Sequence, residues 1–129
     1  MPTLLRIALQ GRAFLFCFMA AAHFFGLKVA ILLVYWDTPY HAYQDKIIAF
    51  AVLAYVGLFH AASRDIAVVP VALAALGVAV PRLPSVNHSD PLASVPAEGQ
   101  STWAYLAQTA AIAGYVAVLV VFYRGRSEA

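Results

Sequence analysis

The sequence has few charges and few cysteines. Only 11% of the 129 residues are charged, against 64% hydrophobic, and the mean hydropathy is +0.81. A soluble domain is ordinarily about 45–50% apolar, so water is excluded as the surroundings of most of this chain. The eight lysines and arginines stand singly rather than in runs. That scatter argues against a nucleic-acid partner despite the net charge of +2. A single cysteine, Cys17, rules out an internal disulfide. It lies in an apolar run, where a reactive thiolate is disfavoured. Paired His or Cys motifs, a phosphate-binding glycine loop and a nucleophile with an adjacent base are also missing, so the sequence names no metal and no catalytic residue.

What is present is long apolar stretches separated by short polar ones. Four spans of about 20 residues nearly fill the chain. The expected fold is an all-α integral membrane protein, a single four-transmembrane-helix bundle over residues 1–129. Its spans are expected at about 13–36, 46–62, 66–82 and 102–123, with outer loops at 37–45 and 83–101. Arg6 and Arg12 read as an interfacial lead-in among the headgroups. Ala20-Ala21-Ala22 imitates a signal-peptide cleavage site, but the apolar character resumes through Val29–Trp36, and cleavage would leave a stub too short to span. Asp37-Thr38-Pro39 ends the first span, since proline lacks the next backbone donor. The third span is the shortest, and a re-entrant or interfacial segment is its alternative. Pro81, Pro84, Pro91 and Pro96 mark the following stretch as a loop, in which Asn87-His88-Ser89 fits a glycosylation sequon.

Orientation follows from the basic residues. Arg6, Arg12, Arg64, Arg124 and Arg126 fall on one side, against Lys46 and Arg82 on the other, which makes the first side cytoplasmic. Tyr35, Trp36, Tyr40, Tyr43, Trp103 and Tyr105 gather at the opposite interface, an independent signal for the same topology. Both termini are then cytoplasmic, in a cell (inner) membrane.

Polar residues inside the spans are the candidate functional groups. Lys28 falls just past the middle of the first span, where a cation costs at least about 2.5–3.5 kcal/mol. Trp36, at the outer interface, is about 12 Å away along the helix, more than the lysine stem covers. Depth matching in antiparallel helices sets Tyr105, Gln108 and Thr109 of the fourth span at its level and Tyr55 of the second span mid-depth. These five form the expected intramembrane polar cluster, either a lock on the bundle or a ligand site.

His23 and His60 are further candidates for a ligand or proton site. Depths differing by about two turns disfavour a bis-histidine haem, and a neutral imidazole bonded across helices is the plainer reading. In the loops, His41, Asp45, Asp37, His88, Asp90 and Glu98 read as a solvated rim. Small residues at four-residue spacing, such as Gly57 with Ala61 and Ala110 with Gly114, are packing seams that also suit contacts with another chain. The sequence names no cofactor. Its expected partners are the lipid bilayer and further copies or other membrane subunits. The function expected is a non-enzymatic accessory, scaffolding or small-solute transport subunit of a membrane assembly. The alternative is a redox subunit binding a quinone-type or other cofactor.

Overall fold

The computed structural model describes residues 1–27, 41–90 and 102–125. The described residues are helical, with no strand among them. The helices are α1 (Thr3–Phe25), α2 (Ala42–Arg64), α3 (Val69–Asn87, entered through a 3-10 turn, Ile66–Val68) and α4 (Trp103–Arg124). All four, counting the turn with α3, are long and apolar enough to cross a membrane.

Local chemistry sets most of the ends. α1 stops at Gly26, whose φ of 65° lies in the left-handed region that only glycine adopts freely. The Leu27 N–H donates to the Ala22 carbonyl at 2.8 Å and the Gly26 N–H to the His23 carbonyl at 3.4 Å, the paired bonds of a Schellman cap. The helix therefore lies toward the N-terminus of the expected 13–36 span, and it takes in Arg6 and Arg12, which the sequence assigned to a lead-in. Residues 28–36 of that span lie outside the described part.

Between α2 and α3 the chain reverses at Asp65. The Asp65 carboxylate accepts from the Ala67 N–H at 2.9 Å and so satisfies one of the donors left free at a helix start. Pro70 falls in the first turn of α3, where its missing donor costs nothing.

The expected loop 83–101 begins instead as helix. α3 runs through Pro81 and Pro84 to Asn87, so Ile66–Asn87 has ample length for a span. Each proline withholds a bond from the carbonyl four residues earlier, Gly77 for Pro81 and Val80 for Pro84, yet the helix continues, and further bonds brace its last turn. The Ser85 hydroxyl donates to the Arg82 carbonyl at 2.7 Å, while the His88 backbone N–H (3.1 Å) and its Nδ1–H (2.8 Å) both donate to the Pro84 carbonyl. Asn87 is buried against α4, which fixes the end of the helix in place.

The helices pack as two hairpins, α1 with α2 and α3 with α4, joined by sparser contacts of α1 with α4 and of α2 with α3. The core lies toward one end. Leu5, Leu9, Ala13 and Phe16 of α1 meet Phe59 and Ala62 of α2, Val69, Ala72 and Leu76 of α3, and Leu119 of α4. Phe16 and Phe59 touch at 5.4 Å between ring centroids. Little of the apolar surface is enclosed: 28% of the most apolar stretch of α1 is buried, and 6% of that of α4. Folding as a monomer therefore leaves most of the hydrophobic side chains facing outward.

Candidate functional site

Four groups of polar side chains are built into this frame. At the open end of the α1–α2 hairpin, His23 in the last turn of α1 meets Asp45 in the first turn of α2, with Nδ1 and Oδ1 3.1 Å apart. Asp45 is buried. Its position suits it, since a helix N-terminus attracts negative charge and a C-terminus positive charge. Beside the pair, the Lys46 ammonium lies 5.7 Å from the centroid of the Phe24 ring.

At the corresponding end of the other hairpin, the Asn87 amide donates to Thr109 Oγ1 at 2.8 Å and to the Tyr105 carbonyl at 3.1 Å. Thr109 in turn donates to the Tyr105 carbonyl at 2.9 Å. The Asn87 side chain is thus committed to helix packing, which speaks against the sequon reading.

A third group joins α1 to the far end of α2. Ser63, almost fully buried, donates to Gln10 Oε1 at 2.7 Å and lies 2.6 Å from the His60 carbonyl. Gln10 Nε2 lies 3.4 Å from His60 Nδ1.

The fourth group links the hairpins. Arg12, nine residues past Thr3 and so about 13 Å along the helix axis, is half-buried. Its guanidinium lies 4.5 Å from the centroid of the Phe16 ring and 5.1 Å from that of Tyr115 on α4. Such cation–π contacts strengthen as water is removed. Its Nε is buried without an acceptor among the described residues. The Tyr115 hydroxyl donates to the Ala8 carbonyl at 3.0 Å, which seats the ring against α1 one turn before Arg12.

The sequence-derived candidates divide among these groups. Tyr105 and Thr109 come together, with Asn87 as the third member. Gln108 lies between them in sequence on α4. Tyr55 belongs to the other hairpin, where its ring stacks on Phe16 at 5.3 Å. Lys28 lies outside the described residues. His23 and His60 are at opposite ends of the α1–α2 hairpin, each with its own partners. His23 occupies the last turn of α1 rather than a place near mid-helix, because Gly26 ends that helix.

Sequence reasoning missed Arg12 and Tyr115, as well as Gln10 and Ser63. A signal was present for Arg12: taking Gly26 as a helix terminator and counting back a helix of about 20 residues puts Arg12 inside that helix rather than in a lead-in. Asn87 carried no such signal, since its role depends on α4. Among the described residues, no three or more His, Cys, Asp or Glu side chains are placed to share a metal ion. No known protein family, curated protein or solved structure matches the chain.

Proposed function

We propose that the chain is an integral membrane protein of four spans with both termini cytoplasmic, acting as a non-enzymatic accessory or scaffolding subunit of an inner-membrane assembly. One observation carries this reading. The helices turn large apolar side chains outward, among them Phe14 at 78% exposure and Val78 at 69%, whereas the inward polar side chains of Asp45, Ser63 and Asn87 bond to neighbouring helices. Polar groups used in this way hold helices together, and the outward apolar faces are left for lipid and for other spans. The arginine bias supports the orientation, with Arg6, Arg64 and Arg124 near one end of the bundle against Lys46 and Arg82 near the other.

Two measurements test the reading. The protein should stay with membranes through alkaline carbonate extraction, and cysteines placed at residues 2 and 127 should be labelled only from the cytoplasmic side. Release by carbonate, or labelling of one terminus from outside, refutes it. Capture in mild detergent should then yield stoichiometric membrane partners or further copies.

A second reading, a quinone-type redox subunit, draws on Arg12. A guanidinium beside two aromatic rings, with a buried N–H lacking an acceptor, offers what a quinone carbonyl and ring would use. Lipid extraction of the purified protein tests it. A quinone retained by the native chain and lost in Arg12→Leu favours this reading, and a chain without bound quinone favours the first.

A further inference from the structure

We propose that the end of the α1–α2 hairpin carrying Arg6 and Arg64 binds the headgroup of one anionic phospholipid. The inference rests on the membrane reading above, but not on which side that end faces. Its geometric basis is the register of the two helices. Gln10 is set beside His60 and Ser63 by contacts of 3.4 and 2.7 Å, and the same antiparallel register continues through Phe16 with Tyr55 to His23 with Asp45. Residues four apart on a helix share a face. One turn beyond Gln10 toward the helix end is Arg6, and one turn beyond His60 in the same direction is Arg64. The register therefore brings both arginines to one level, and both are exposed.

Neither arginine has an ion-pair partner among the described residues. The nearest carboxylate in sequence, Asp65, caps the next helix through the Ala67 N–H. Two exposed guanidiniums at one level, neither held in an ion pair, attract an anion between them. A phosphodiester fits, because guanidinium donors meet phosphate oxygens in pairs. About 6 Å deeper, one helical turn, Gln10 and His60 lie exposed at the level where the glycerol esters of a lipid follow its phosphate. Below them, exposed Phe14 continues an apolar wall for the acyl chains. Charge, polar step and apolar wall thus follow one another in the order of a phospholipid.

The test uses the full chain reconstituted in phosphatidylcholine bilayers with spin-labelled phosphatidylglycerol or spin-labelled phosphatidylcholine, reading the motionally restricted lipid by electron paramagnetic resonance. The native protein should hold the anionic lipid several-fold better. Arg6→Gln and Arg64→Gln should each weaken that preference, by on the order of fivefold at the site, and the double variant should erase it. Arg124→Gln, at the same end of the bundle but on α4, should keep it. The proposal is overturned by equal retention of the two lipids, by a preference that survives the double variant, or by an equal loss in Arg124→Gln, which would mark a general surface charge effect. Loss of the preference on adding millimolar glycerol phosphate would assign the site to a soluble phosphate and overturn the lipid assignment. A spectrum with no restricted lipid of either kind would instead remove the membrane reading on which the inference stands.

Discussion

The two ends of the bundle are held in different ways. At the end bearing Arg6 and Arg64, all four helices contribute to one apolar core around Phe59 and Leu119, and polar contacts run between hairpins as well as within them, through Arg12, Tyr115 and the Ala8 carbonyl. At the other end, among the described residues, each hairpin has its own clamp, His23 with Asp45 in one and Asn87 with Thr109 in the other. Among the described contacts, those at the first end join the hairpins to each other, and those at the second join the helices within each hairpin. For the membrane protein proposed above, this division has a physical reason. Apolar packing between helices gains little over packing against acyl chains, so close-fitting side chains and a few interhelical hydrogen bonds must supply the specificity.

Substitutions can break the comparison, beginning with the largest expected effect. Phe59→Ala removes a fully buried ring at the shared core and should cost about 3–5 kcal/mol of stability in detergent unfolding. Phe14→Ala on the outward face should cost far less, and equal losses would deny that the shared core holds the hairpins. Gly26→Ala forces a side chain into the left-handed region and should cost about 1–2 kcal/mol. Amide exchange should speed up at Gly26 and Leu27 while the α3–α4 hairpin keeps its protection.

Smaller effects separate the clamps. Asn87→Ala should cost about 1 kcal/mol and free the last turn of α3, seen as faster exchange after Pro84 with α1 and α2 unaffected. Spread of that effect to the other hairpin would mean that the two clamps are coupled. Tyr115→Phe deletes only the bond to the Ala8 carbonyl and should cost about 0.6 kcal/mol. Its signature is a changed distance between labels on α1 and α4, with distances inside each hairpin unchanged.

Hydropathy alone made the four helices legible, and the reversal between residues 62 and 66 was legible as the break between the second and third spans. The first helix was placed too late because the apolar run continues past Gly26, and composition outweighed a single glycine. The cap geometry shows that the glycine is the stronger signal there, since its φ is one the flanking residues would adopt only with strain. α3 was ended too early for a different reason. Prolines at 81 and 84 do remove the bonds to the Gly77 and Val80 carbonyls, but Ser85 and His88 brace the last turn through the Arg82 and Pro84 carbonyls, and Asn87 ties the segment to α4. Of the expected cluster, Tyr105 and Thr109 share Asn87 and Tyr55 stacks in the other hairpin, while Lys28 lies outside the described residues.

By itself the sequence determined the class of the protein, four apolar helices with arginines near one end, because hydrophobic length and charge are sums over residues and need no fold to be counted. The tertiary structure decided which polar groups meet. Pairs such as Arg12 with Tyr115 or Asn87 with Thr109 join residues far apart in the chain, and their contact depends on the register and rotation of packed helices. Those are set by the fit of buried side chains such as Phe16, Phe59 and Leu119, which no local pattern encodes.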